Sequence, residues 1–272
     1  MVHNTSIPFY QIDAFTDQAF RGNPAAVCLL EAPLAAEQMQ KIAAEMNLSE
    51  TAFVEPPDAD GLRHLRWFTP AVEVPLCGHA TLATSHTLLR EAGQEAPLRF
   101  QTLSGILTVE EEEDDWLRMD FPADPPFPAD PPPALLEALG CPPGTTSVRS
   151  VKLWLVRLNS VSEVLALDPD MTALGGVDLG DTPLGVSVTA PGEGDTDFVS
   201  RFFGPWVGVD EDPVTGMAHT VLGPYWMDEL GSEMLRARQV SPRRGDLRVK
   251  RVGDRIHVSG QAVTVVRGTL SL

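Results

Sequence analysis

The chain has 272 residues, 43% of them hydrophobic, and sets 20 Lys+Arg against 38 Asp+Glu for a net charge of -18. That length suits one large domain or two ordinary ones, with enough apolar material for a real core. The acidity excludes phosphate backbones and anionic membranes as natural partners, so neither nucleic acid nor membrane is expected. The three cysteines, Cys28, Cys77 and Cys141, are odd in number and far apart, which is no disulfide framework. The opening "MVHNTSIPFYQIDAF" lacks a basic segment followed by an apolar run, and no run approaches the ~18 apolar residues of a membrane span. A soluble cytoplasmic protein is expected.

In chain order, "IPFYQIDAF" alternates as a strand. A turn at Gly22–Pro24 leads to the apolar run "AAVCLL". "LAAEQMQKIAAEMN" is an amphipathic helix with Leu34, Met39, Ile42 and Met46 on one face and Asn47 as its C-cap. "ETAFVEPP" and "LRHLRWFTP" read as strands. "HATLATSHTLLREAG" reads as a helix ended by Gly93. "GILTVEEEEDDWLRMDFP" reads as a hairpin with the acidic run Glu110–Asp115 solvated at its tip. The proline density of Pro122–Pro133 opposes helix and sheet and suits a stiff connector. It marks a boundary between domains 1–121 and 134–272, with the last strands free to pack back on the first domain. Beyond it come a short helix "ALLEALG", strands at "KLWLVRLNS", "LGVSVTAP" and "DFVSRFF", a helix "MAHTVLGPYWMDELG" with an internal proline, and terminal strands in "RIHVSGQAVTVVRGTLSL".

Two segments repeat. Phe68-Thr69-Pro70-Ala71-Val72-Glu73-Val74 precedes Pro75-Leu76-Cys77-Gly78, and Phe203-Gly204-Pro205-Trp206-Val207-Gly208-Val209 precedes Pro213-Val214-Thr215-Gly216. Both read F-x-P-x-V-x-V, then P-x-[CT]-G, then a helix rich in Ala, Thr and His. The second copy carries Asp210-Glu211-Asp212 as an apparent insertion before its proline. The pattern is a duplicated strand–turn–helix unit. A glycine ahead of a helix start, where N–H groups are unpaired and the dipole is positive, makes an anion site. Two such starts suit a small molecule bearing a carboxylate.

"PLCGHATLATSH" holds a cysteine and two histidines. His79 and His86 lie seven residues apart, a rise of ~10.5 Å along a helix, too far to share one ion. Cys77 with His79 is half a metal site without a visible second pair. No metal is expected; His86 and His219 read as hydrogen-bonded helix histidines. A Cys77 nucleophile with a histidine base lacks a visible third group to orient the base. Cys77 itself stays open between a packing residue and a low-pKa thiol at a helix start.

"QIDAFTDQAFRGNPAAV", "NLSETAFV", "CGHATLATSH" and "GVDEDPVTGMAH…PYW" stand in this order. Together they resemble the phenazine-biosynthesis PhzF-like family and, more distantly, diaminopimelate epimerase. The resemblance implies an α+β fold of two pseudo-symmetric domains, each a mixed β-sheet wrapped around a central helix. It implies an active site between the domains at the helix starts, no cofactor or metal, and a homodimer. Carried over, Glu50 in "NLSET" is the acid/base carboxylate, with Ser49 beside it among the substrate-binding residues. His79 in "CGHA" and Asp212 in "EDPVTG" assist catalysis. Gly78 and Gly216 are anion-binding turns, with Cys77, Thr215 and Met217 beside them at the substrate.

Two departures from the pattern stand out. The epimerases carry a cysteine on both turns, whereas the second turn here has Thr215, which disfavours two-thiol racemisation. Met217 replaces a small serine, removing a hydroxyl and narrowing the pocket. The expected activity is an isomerase that moves a proton on a small carboxylated metabolite. The alternatives are a one-thiol epimerase or dehydratase using Cys77, a non-catalytic binding protein that keeps the fold, and a metal-dependent hydrolase.

Overall fold

The computed structural model describes residues 6–142, 144–180 and 182–272. The first five residues of the N-terminal stretch read above lie outside it. The chain divides into two compact units, Met1–Asp120 with Ser259–Leu272, and Phe121–Val258. Among the described residues no helix is long and apolar enough to cross a membrane.

The first unit contains β1 (Ser6–Ala14), β2 (Asn23–Leu29), α1 (Ala36–Met46), β3 (Glu50–Val54), β4 (Leu62–Phe68), β5 (Glu73–Val74), α2 (Gly78–His86), β6 (Leu98–Thr102), β7 (Gly105–Glu111) and β8 (Leu117–Pro122). The C-terminal strand Ala262–Ser271 runs antiparallel to β1. β1–β2 is antiparallel, β2–β3 parallel, β3–β4 and β4–β5 antiparallel, β4–β6 parallel, and β6–β7 and β7–β8 antiparallel. α1 lays Met39, Ile42 and Ala43 on Ile7, Cys28, Phe53 and Phe68, and Asn47 ends it in the left-handed conformation.

α2 is buried from His79 to Ser85 and touches β1, β2, β3 and the C-terminal strand, so it is the central helix. A helix covered on all sides cannot be amphipathic, and its small residues let strands approach closely. Gly260 is one such approach: a Cβ there would meet Phe15 at 2.4 Å and Leu82 at 2.9 Å. The buried hydroxyls are satisfied within the helix. Thr81, Thr84, Ser85 and Thr87 donate to the carbonyls of Cys77, Ala80, Thr81 and Ala83 at 2.5, 2.7, 2.8 and 2.9 Å. The expected long helix ends as a π-turn, Thr87–Glu91, before Gly93.

The second unit contains β9 (Phe127–Pro128), α3 (Pro133–Leu139), β10 (Ser147–Arg149), β11 (Leu153–Arg157), α4 (Val161–Ala166), α5 (Met171–Gly175), β12 (Gly185–Pro191), β13 (Phe198–Gly204), β14 (Val209–Asp212), α6 (His219–Leu230), β15 (Met234–Gln239), β16 (Gly245–Val252) and β17 (Arg255–Gly260). The proline-rich stretch is not without regular structure. Phe127–Pro128 pairs with β10, and Pro133 opens α3, where a missing N–H costs nothing. The strand succession repeats that of the first unit. β10–β11 is antiparallel, β11–β12 parallel, β12–β13 and β13–β14 antiparallel, β13–β15 parallel and β15–β16 antiparallel. α6 packs on β15 and β16 and carries Pro224 inside it. The Thr220 carbonyl, deprived of a Pro224 N–H, accepts instead from the Asp124 N–H at 3.0 Å.

Candidate active site

The repeat is deeper in space than in sequence. Thr51 pairs with Phe68 and Val186 with Phe203, so β3–β4 and β12–β13 share one register. Arg66 forms a two-pronged ion pair with Glu73 at 2.7 and 2.8 Å, and Arg201 one with Glu211 at 2.8 Å on both arms. Each guanidinium also covers the phenylalanine two residues on, Phe68 or Phe203. Glu73 pairs with Phe68 and Glu211 with Phe203, so the two glutamates are equivalent. This corrects the expectation that Asp210-Glu211-Asp212 is the insertion. The extra residues belong to the turn after Phe203, and Asp212 stands where the first copy has Val74. The equivalences continue through Cys77 and Thr215, Gly78 and Gly216, and His79 and Met217.

In the first unit three sequence-selected groups converge. β3 begins at Glu50, parallel to β2, and α2 begins at Gly78 with Cys77 as its N-cap. Glu50 Oε2 lies 3.2 Å from His79 Nε2, in contact though outside hydrogen-bond alignment. Cys77 Sγ lies 3.5 Å from His79 Nδ1. One donor atom from each of the three falls within 4.8 Å of the others. The in-plane directions of the two ring nitrogens diverge, so a carboxylate and a thiol this close to each other cannot both lie in line with the ring, and the three groups form a compact cluster rather than a linear relay. Burial pushes the His79 pKa down to about 3 and keeps the ring neutral. Two sequence readings change here. The third group not visible beside Cys77 and a histidine is Glu50, which touches the ring without the hydrogen bond that would orient it as a base. The half-site for a metal has a third donor as well, a carboxylate–thiol–imidazole set of the kind zinc accepts.

Gly78 and Ser49 flank this cluster in sequence and are partly buried. The first intrahelical bond of α2 runs from Thr81 N–H to the Cys77 carbonyl, so the N–H groups of Gly78, His79 and Ala80 precede the hydrogen-bonded ladder. His86 lies apart, with Nε2 3.1 Å from Thr264 Oγ1.

In the second unit Asp212, Thr215, Gly216 and Met217 form a turn before α6. Thr215 Oγ1–H donates to Asp212 Oδ2 at 2.5 Å. α6 begins at His219 rather than Met217, because Gly216 to Val221 form a tighter turn. There His219, Thr220 and Val221 N–H groups donate to the carbonyls three residues back. His219 Nδ1 lies 2.8 Å from the Thr215 carbonyl, and burial lowers its pKa to about 4. It is the counterpart of the Thr81 hydroxyl on the Cys77 carbonyl.

Sequence reasoning missed two fully buried carboxamides. Asn23 Nδ2 lies 3.3 Å from His79 Nδ1. Gln239 braces the second turn: its Nε2 donates to the Asp212 carbonyl at 2.6 Å and its Oε1 accepts from Thr215 N–H at 2.9 Å. Asn23 sits in the quoted "RGNPAAV", but no spacing ties it to His79. Gln239 carries no motif.

Residues 12–268 match the family model described as phenazine biosynthesis-like protein. The chain belongs to that family. Among phenazine biosynthesis-like relatives, an uncharacterized isomerase from Pseudomonas aeruginosa is 49% identical over 267 residues, covering 98% of this chain and 99% of the relative. A crystal structure of a PhzF family protein from Enterococcus faecalis matches with a TM-score of 0.89 at 39% identity, covering 98% of this chain and 100% of that one. A hydroxyproline epimerase from Agrobacterium vitis, 10% identical with a TM-score of 0.59, covers 98% of this chain and 93% of that one and shares the fold. This phenazine biosynthesis-like protein is accordingly an enzyme of the isomerase type with the epimerase-like α+β fold.

Proposed function

We propose that the enzyme is a cofactor-independent isomerase that moves a proton on a small carboxylated metabolite. The observation that carries this reading is the convergence of Glu50, neutral His79 and Cys77 at the start of α2. The N–H groups of Gly78, His79 and Ala80 hold the substrate carboxylate, helped by the helix dipole. Glu50 removes a proton from carbon, the electron pair left behind spreads into the adjoining unsaturated system, and Glu50–H returns the proton to a different carbon. Atoms and charge balance without an external oxidant or reductant. Asp212, the Gly216 turn and Met217 take the remainder of the substrate, and the working form is a homodimer. The first statement rests on the resemblance at "EDPVTG" and the second on the family resemblance as a whole; both are part of the proposal.

Solvent deuterium entering a turned-over metabolite tests the reading, with Glu50→Gln expected to abolish the exchange. Exchange that survives in Glu50→Gln overturns it. The 3.5 Å contact of Cys77 with His79 favours one second reading, a one-thiol epimerase or dehydratase. That reading takes over when Cys77→Ala, rather than Glu50→Gln, stops exchange.

A further inference from the structure

We propose that Asn23 is a positioning residue that fixes His79 as its Nε2–H tautomer, making the imidazole a neutral hydrogen-bond donor on the side that faces Glu50. The tautomer follows from geometry. His79 Nδ1 has two neighbours, the Asn23 amide nitrogen at 3.3 Å and the Cys77 sulfur at 3.5 Å. An amide NH2 only donates, so Nδ1 accepts; the Cys77 thiol, which can donate or accept, is compatible with either tautomer. The ring is buried and neutral, so its single proton is on Nε2, the nitrogen facing Glu50.

The backbone delivers Asn23 to this place with little freedom. Asn23 opens β2 opposite Ala14. The loop before it passes through left-handed Phe15 and Phe20 to left-handed Gly22, where a Cβ would stand 2.1 Å from the Ala14 carbonyl oxygen. The Phe20 N–H donates to the buried Asp13 carboxylate at 2.6 Å and pins the loop.

The second copy supplies an independent argument. Ala25 pairs with Glu50 as Leu153 pairs with Gly185, so two residues earlier Asn23 corresponds to Val151. His79 corresponds to Met217. The amide and the imidazole are present together in one copy and absent together in the other, as expected of two groups that act as a pair.

The catalytic consequence rests on the isomerase reading. A neutral donor stabilises negative charge developing on the substrate without competing for the proton, which leaves the transfer to Glu50. The tautomer itself does not depend on that reading.

Long-range 1H–15N correlation spectra of protein labelled with 15N-histidine read the tautomer directly, and His79→Gln identifies the signals of residue 79. The wild type is expected to carry its proton on Nε2. Asn23→Asp replaces the donor by an acceptor and is expected to move the proton to Nδ1, with kcat falling about 10²-fold and KM little changed. Asn23→Ser, which keeps a donor, is expected to retain more activity than Asn23→Asp. An Nδ1–H signal in the wild type overturns the proposal even when no variant folds, and so does an unmoved proton in folded Asn23→Asp. A moved proton with unchanged kcat overturns the catalytic consequence. An Nε2–H wild type without deuterium exchange into any metabolite sinks the isomerase reading and leaves the Asn23 assignment standing.

Discussion

Glu50 and Gly185 occupy one position in two copies of the same strand, each immediately before the residue that pairs with the phenylalanine of the repeat. In the first copy the position bears the carboxylate beside His79. In the second a side chain does not fit: a Cβ on Gly185 would stand 2.4 Å from the Phe203 carbonyl oxygen and 2.6 Å from the Phe202 ring. Substitution at the two positions is therefore expected to fail in opposite ways. Glu50→Gln loses exchange and keeps its urea midpoint. Gly185→Ala loses about 1–3 kcal/mol by overpacking, read from the shift in that midpoint.

The repeated ion pairs differ in burial. The side chains of Arg201 and Glu211 are 12% and 16% exposed, those of Arg66 and Glu73 31% and 25%. Arg201 also donates to the Val164 and Leu167 carbonyls at 3.1 and 2.7 Å. Glu211→Gln is expected to cost about 3 kcal/mol and Glu73→Gln about 1 kcal/mol. Equal costs in denaturant titrations would contradict this ranking.

Burial lowers the pKa of His79 from 6.5 to about 3, and of His86 and His219 from 6.5 to about 4. The unfolded chain takes up these protons as pH falls through 6.5, whereas the native state takes them up only near 4 and below. Stability contributed by the neutral histidines is full above 6.5 and declines toward 4. Unfolding free energy measured against pH is expected to slope upward across that window by as many as three protons. His86→Gln is expected to reduce the slope by one.

A thiol, an imidazole and a carboxylate within 4.8 Å can serve proton transfer or hold an ion. Under the proton-transfer reading, exchange by Cys77→Ala stays within a few-fold of the wild type, and a chelator leaves the wild-type rate unchanged. Activity that a chelator removes and zinc restores would assign the site to metal chemistry instead.

Local patterning made most elements legible. The cap at Asn47, the alternation of β1 and the turn at Gly22–Pro24 are encoded within a few residues. α2 and α6 were visible as helices, although the hydroxyl bonding that lets α2 be buried all round needs neighbours on every side. β15 and β16, rich in arginine, went unread because their apolar alternation is diluted by charge. The repeat was visible at Phe68 and Phe203, but linear matching put the extra residues beside Asp212. Register between strands moves them into the preceding turn. Asn23 and Gln239 were beyond reach for one reason. Their partners lie 56 and 24 residues away, brought close by sheet formation rather than by helical or turn spacing.

The pairing of β1 with Ala262–Ser271 also sets an order of assembly. The second unit, Phe121–Val258, is one uninterrupted segment, whereas the first joins residues from both ends of the chain. During synthesis β1 cannot pair with Ala262–Ser271 until that strand has been made, and the edge it will offer stays open until then. The unit that holds Glu50 and His79 is thus completed only after the whole of the second unit has been made.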